Sequence, residues 1–570
     1  MSFVNHKKED NFQRIRFLSF LIALVLGFLH SWASRYSITP DGVTYLDMAD
    51  FIIKGDVKSA LLPSWCPLYP FLLSVAFYLI KPATFWEYPL LHLVNYLIYI
   101  ATLFSFDFFL MEFLKYRKKL AKIYSYEKFQ DLPDWAFIAI GYSLFFISSL
   151  YLITLWSPSP DMCFATFVYL ATAMLLRINN ANQGYFTFFI YGLILGLGNL
   201  AKTPMFLIAV LYLFLTCFPI KNLVIKNKTA KIFLCLLVFI TICTPYIYVI
   251  SEKKGYFTIG ESGKLNYAWY INDVQPFIHW QGESTNQGKL VHPTRQVFTN
   301  PDVYEFATPF NVTYPPFYDP SYWYEGVKAY FAPFRQLCSI AASIKTFYRI
   351  FSKYFFVLII AILISLSMSG RKNLIWKDLF LHWRLLLPSV FTFIIFSLVH
   401  LEPRYIGAYI VIFWIGILAA VYLPKEKFFD KLIGTMITLI LAMLMITVAT
   451  STANELSIWK KNYSVHSDWH IVDSLKKMGV NEGDRIATIG YSIPDSATWA
   501  RLAKVKIVSE ILSKDSEVFW KTDNILRMKI MNAFAGSGAR IVVANQIPDW
   551  TSSKGWHKIG RTDCFVYFLK

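Results

Sequence analysis

The chain of 570 residues is 56% hydrophobic and 18% aromatic, carries only 16% charged residues, and has a formal net charge of +18. Together with many apolar runs near the ~17 to 25 residues needed to span a bilayer, this excludes a soluble globular protein and defines a polytopic α-helical membrane protein. The basic residues sit mostly in short loops between apolar runs, so the charge reads as topology and no nucleic-acid partner is called for. Seven scattered cysteines without CxxC or Cys/His spacing imply neither a disulfide framework nor a zinc site.

In chain order, a polar, basic N-terminus precedes the apolar run Phe17–Trp32, which reads as an uncleaved anchor with a cytoplasmic N-terminus. A first outer loop, 34–87, follows. Within it Pro67–Ile80 is short and carries two prolines, and were it to span, the basic loop Lys115–Lys128 would lie outside. It is therefore expected to be interfacial or re-entrant. Further spans are expected at Tyr88–Leu110, Trp135–Leu155, Met162–Leu176, Tyr185–Leu200, Pro204–Phe218 and Ile232–Ile250, with basic cytoplasmic loops at Arg177–Gly184 and Lys221–Lys231. A long outer loop, 251–345, precedes spans at Tyr354–Met368, Leu385–Val399, Tyr405–Leu423 and Leu432–Thr450, with a basic loop at Arg371–Arg384. The total is about eleven transmembrane helices in a membrane domain of residues 1–450.

Residues 451–570 change character. An amphipathic helical pattern ending at Gly479, short buried-strand patterns in DRIATIG, KVKIVSE and ARIVVAN, and two closing segments able to pair at a sheet edge predict a small soluble α/β domain. It lacks a glycine-rich phosphate loop and is expected to be a lid or docking platform on the outer side.

Polar groups in the outer turns are the candidate site. Asp41 sits in the turn signal Pro40-Asp41-Gly42 at a loop-to-helix junction, where a carboxylate at the membrane surface must be solvated, paired or used. Asp47, Asp50 and Asp56 read as solvated acids on an amphipathic helix and its turn. Arg35 and Tyr45 share the first loop with Asp41; Asp161 follows in PSPD, Lys202 in AKTP, and His400, Glu402, Arg404 and Tyr405 in HLEPRY. Snorkelling of Lys202 and Arg404, helix capping by Asp161 and a Glu402–Arg404 pair are the ordinary explanations. A set with carboxylates and cations on one face suits a reaction in which an acid oxygen takes a proton while cations hold a phosphate. The long outer loop adds Glu261, His279, His292 and Arg295 among many Tyr, Trp and Pro residues, a composition suited either to stacking sugar rings or to an aromatic belt.

Four stretches, PDGVTYLDMA with WCPLYPFLL, PSPDM, GLILGLGNLAKTP and HLEPRYIG, resemble the GT-C superfamily of membrane glycosyltransferases. The likeness is nearest to the bacterial branch of lipid A aminoarabinose transferases and protein O-mannosyltransferases. The resemblance implies transfer of a sugar from a polyprenyl-phosphate donor to an acceptor hydroxyl on a lipid, glycan or protein, at the outer face of a bacterial inner membrane. It assigns Asp41 as the base that activates the acceptor, and Lys202 and Arg404 as cations for the lipid phosphate or its sugar, with Arg35 and Tyr45 as further donor contacts. Where many relatives carry an acidic pair, this chain has Asp followed by Gly, and no ligand motif supports a divalent metal. The other classes are a polysaccharide polymerase or ligase, which keeps activity without Asp41, and a lipid-linked sugar flippase or transporter, which needs broken helices and midspan charges.

Overall fold

The computed structural model describes residues 2–124, 129–218, 226–276, 279–282, 287–292, 294–368, 375–461, 467–492 and 495–569. Residues 125–128, 221–225 and 371–374, parts of three basic loops, lie outside the described residues.

The chain opens with α1 (Ser2–Ala33), α2 (Pro40–Ile53), α3 (Leu68–Ile80) and the 37-residue α4 (Glu87–Ile123). At 1.5 Å per residue α4 is longer than the ~30 Å hydrocarbon layer, which lets it carry Lys115, Arg117 and Lys118 beyond the membrane. Next come α5 (Asp134–Ile147), prolonged by a π-helical turn at Ser148–Ile153, and α6 (Asp161–Asn180). They are followed by α7 (Tyr185–Ala201), α8 (Met205–Thr216) and α9 (Lys228–Lys254). The long loop holds α10 (Ser262–Tyr270) and leads to α11 (Pro333–Tyr354) and α12 (Phe356–Met368). The bundle closes with α13 (Trp383–Ser397), α14 (Pro403–Ala419) and α15 (Lys427–Lys461).

Among the described residues six helices are long and apolar enough to cross a membrane, or seven if the bent pair α11 and α12 is one crossing. This is an integral membrane protein. The expectation of about eleven crossings is therefore met by length for six, because α7, α8, α12, α13 and α14 have only 12 to 17 residues. Their shortness has a local cause: α7 stops before Lys202, α13 stops before His400, and Pro204 and Pro403 open the following helices, where a missing N–H is harmless. The predicted interfacial segment is α3, at 13 residues.

The glycines of GLILGLG explain one close contact. A Cβ on Gly192 would lie 2.4 Å from the Cys235 carbonyl oxygen and one on Gly196 would lie 2.7 Å from Ile242, so α7 and α9 touch only because both positions are glycine. Asp107, inside the long α4, is buried and neutralised: Arg16 donates to it through Nε at 2.8 Å and Tyr142 through its hydroxyl at 2.8 Å.

Two short strands within the bundle, β1 (Phe129–Asp131) and β4 (Tyr422–Pro424), pair antiparallel. Beyond the bundle lies a seven-stranded sheet in which β2 (Arg295–Phe298), β3 (Val303–Glu305), β6 (Lys506–Leu512), β5 (Arg485–Tyr491), β7 (Ile541–Ala544), β9 (Phe565–Phe568) and β8 (His557–Lys558) lie side by side in that order. β5 pairs in parallel with β6 and β7, and β9 and β8 close one edge antiparallel. The other edge is built by β2 and β3, which come from the long loop. The long loop and the C-terminal residues thus share one sheet, which differs from the expectation of a self-contained 451–570 domain; β3 reaches the open edge of β6 and pairs Tyr304 with Glu510. α16 (Ser496–Ala503), between β5 and β6, faces the first outer loop.

Candidate active site

Three helix N-termini, those of α2, α6 and α14, and the turn between α7 and α8 converge at one end of the bundle. Thr39 caps α2 by accepting from the Gly42 amide at 3.3 Å, which leaves Asp41 in the first turn. Pro158 packs directly on Gly42: a Cβ there would stand 2.9 Å from Ile38 and 3.1 Å from Pro158. The stretch that carries Asp161 is thereby pressed against the residue next to Asp41.

Asp161 is the hub of the charges. Its side chain is 2% exposed; Lys202 donates to it, and Arg404 approaches its other oxygen at 3.6 Å. Arg404 also lies 3.9 Å from Asp41 and donates through Nε to Glu402 at 2.6 Å. Its contacts with Asp41 and Asp161 are longer than hydrogen bonds, so the guanidinium fork can take an anion without first breaking strong pairs. Lys202 Nζ stands 3.7 Å from the Tyr405 ring centroid, a cation–π contact that leaves ammonium hydrogens for another partner.

Protonation follows the surroundings. Asp41 keeps about a quarter of its side chain exposed, yet enclosure by protein pushes its carboxyl up to about 6, with Arg404 as the main opposing influence and Glu402 and Asp161 adding to the rise. Burial, reinforced by Asp41, lifts the Tyr45 hydroxyl well above its usual range, so it stays a donor. At Glu402 burial pulls upward, but the His400 hydrogen bond and Arg404 outweigh it and hold the carboxyl at about 2. One carboxylate near neutrality beside one held ionised is the separation a base and its electrostatic partner need.

Other predicted residues are distributed more widely. His400 stacks on Tyr270 with centroids 3.8 Å apart and faces Glu402 at 3.4 Å, so it borders the cluster. Glu261 is buried and its amide donates to Pro63 O at 2.8 Å, while a Cβ on neighbouring Gly260 would stand 3.0 Å from Thr203, beside Lys202. Arg35 stays with its own turn, donating to Trp32 O at 2.7 Å between the rings of Trp32 and Tyr36. His279 lies in the sheet region, 2.6 Å from Glu510, and Arg295 pairs with Glu305 across β2 and β3. His292 stacks on Tyr322 and pairs with Glu325 at 2.9 Å. These three stand apart from Asp41. Cys66, 3.2 Å from Thr203, is a neighbour whose place was visible only as part of WCPLYP.

Asp47 and Asp50 need correcting. They are not solvated acids: Arg501 of α16 donates to Asp47 at 2.8 Å, to Asp50 at 2.6 Å and to Glu87 at 2.5 Å, and Lys504 reaches Glu87 at 2.9 Å. Asp47 also accepts from the Thr313 amide at 3.0 Å and hydroxyl at 2.8 Å. Three carboxylates from two elements draw in one arginine from a segment over 400 residues away, and no local pattern announces that. Asp56 is exposed and accepts from the Ser59 amide at 3.1 Å, as a turn residue. Among the described residues no three histidine, cysteine or carboxylate side chains form a metal-sized group.

Comparison with known structures defines the class of fold. ArnT from Cupriavidus metallidurans in the apo state overlays with a TM-score of 0.50 at 12% identity, covering 96% of both chains. The same protein bound to undecaprenyl phosphate overlays with a TM-score of 0.50 at 13% identity, covering 96% of this chain and 97% of its own. An oligosaccharyltransferase from Archaeoglobus fulgidus, in complex with Zn and sulfate, has a TM-score of 0.47 at 14% identity and covers 93% of this chain and 68% of its own. No family model matches the sequence. No curated protein matches it either. Over nearly its whole length the chain shares the fold of ArnT.

Proposed function

We propose that this protein transfers a sugar from a polyprenyl-phosphate donor to an acceptor hydroxyl on the outer face of a bacterial inner membrane, with its N-terminus in the cytoplasm. The observation that carries the reading is the meeting of Asp41 with Arg404 at 3.9 Å, beside Lys202, which shares Asp161 with that arginine. The fold shared with ArnT, one structure of which holds undecaprenyl phosphate, supports the class of donor.

In this reading Asp41 accepts the proton of the acceptor hydroxyl. The hydroxyl oxygen attacks the anomeric carbon, the bond from that carbon to the phosphate oxygen breaks, and the polyprenyl phosphate leaves from the opposite side with inversion. Lys202 and Arg404 stabilise the departing phosphate, whose weak basicity makes positioning and charge more important than acid catalysis. Tyr45, held as a donor, is buried one helical turn after Asp41 on α2.

The test is turnover of a polyprenyl-phosphate sugar by purified full-length protein and by Asp41→Asn. A positioned base contributes ~10²- to 10⁴-fold, so a loss of that size is expected with an unchanged melting temperature. Undiminished turnover in the variant would sink the reading.

A further inference from the structure

The helix α11 divides its surface into three sectors. One is fastened to the bundle: Ser339 Oγ donates to Val399 O at 2.7 Å, Ser343 Oγ donates to Ser397 O at 3.3 Å, and Gln336 Nε2 donates to Leu398 O. Phe347 and Phe351 continue that side against Phe393 and Trp414, with centroids 5.4 and 5.5 Å apart. At 3.6 residues per turn, Phe334, Leu337, Ile344 and Tyr348 form a second sector, and they are 78%, 65%, 62% and 72% exposed. Lys345, Arg349 and Lys353 form a third, exposed and flanking the apolar one. The helix contains no acidic residue. Among the described residues none of these three cations has a carboxylate within 4.0 Å, whereas Arg335, nearly three turns before Lys345, is occupied by Asp273 at 2.8 Å.

Large apolar side chains turned outward beside a row of cations fit neither bulk water nor hydrocarbon; they fit the boundary between them. The direction of the helix agrees. The apolar α12 departs at 82°, so when α12 runs across the bilayer α11 runs close to its plane. Its occupant must offer hydrocarbon and negative charge side by side, which a lipid leaflet does and a soluble acidic protein does not.

We propose that α11 is an in-plane membrane helix whose Lys345, Arg349 and Lys353 edge binds the headgroups of anionic phospholipids in the leaflet at the site's end of the bundle. The placement bears on the site without depending on its chemistry. Leu398 and Val399, which α11 holds, lead directly into His400 and Glu402. Gln336 also accepts from Tyr267 at 3.0 Å, on the helix whose Tyr270 stacks on His400. Anchoring α11 among headgroups therefore sets the depth of the last turn of the site.

Cys338 lies on α11 and is exposed, as is Cys217. Full-length C217S protein, labelled with a fluorophore at Cys338, is placed in phosphatidylcholine vesicles doped with nitroxide-bearing phosphatidylglycerol or nitroxide-bearing phosphatidylcholine. Quenching by the anionic lipid is expected at a roughly fivefold lower mole fraction, about what one surface cation supplies. The preference should vanish in K345Q/R349Q/K353Q. It should also fade in high salt with the three cations intact, an arm that needs no variant to fold. Equal quenching by the two lipids overturns headgroup recognition. Quenching by aqueous iodide alone overturns the in-plane placement.

Discussion

Two clusters of charge stand on the same helix α2, and they are built differently. Around Arg501 the side chain is 2% exposed, and each of its contacts with Asp47, Asp50 and Glu87 is between 2.5 and 2.8 Å. Around Arg404, a quarter of the side chain is open and two of its three carboxylate contacts are 3.6 and 3.9 Å long. A buried guanidinium with three tight carboxylates has its charge satisfied by the protein, whereas a slack, partly exposed one retains most of it for a ligand. The same residue types therefore make a dock at one end of α2 and a site at the other. Burial lifts Asp47 as it lifts Asp41, and at Asp47 the Arg501 charge and two bonds from Thr313 oppose the rise.

The largest expected effect belongs to the tight cluster. Arg501→Met leaves Asp47 buried without its cation and Glu87 with Lys504 alone, and the loss of a cation from a buried carboxylate destabilises by about 3 to 5 kcal/mol. Thermal unfolding of the solubilised full chain measures it. A loss no greater than that of Lys504→Gln, whose 30%-exposed side chain should contribute about 0 to 1 kcal/mol, would show that the dock is not closed. Next in size is Gly42→Ala. The added methyl must push Ile38 or Pro158 aside, an overpacking of about 1 to 3 kcal/mol that also moves Asp41 away from Asp161. Turnover should then fall by more than the loss of folded protein accounts for. If the two fall together, the contact serves packing alone.

The contrast also explains what could be seen in advance. The slack cluster was legible because each member lies beside a proline or in a short turn between apolar runs: Asp41 after Pro40, Asp161 after Pro160, Lys202 before Pro204 and Arg404 after Pro403. Punctuation of that kind is local and survives in a single sequence. The tight cluster was not legible, because Asp47, Asp50 and Glu87 look like ordinary surface acids until a segment far along the chain brings Arg501. The sheet shows the same limit. The parallel strands β5, β6 and β7 stood out as short buried runs, but β2 and β3 are four and three residues long and take their place only by meeting the edge of β6. His279 and Arg295 went with them.

The finest test of the slack cluster is the pH dependence of kcat/KM, which reports the base of the free enzyme. Asp41 must be ionised to take a proton, and with its carboxyl pushed up to about 6, activity should fall through about pH 6 as acid is added. Arg404 favours the ionised form, so Arg404→Gln should move that limb to higher pH. Glu402 disfavours it and also holds Arg404 through Nε, so Glu402→Gln should move the limb to lower pH for both reasons. Each shift is expected to stay under about one pH unit, equivalent to roughly 1.4 kcal/mol. A weakened grip on the donor phosphate lowers the height of either profile but leaves the position of its limb alone. Opposite displacements therefore identify Asp41 as the titrating base, whereas displacements of one sign would place the titration on another group.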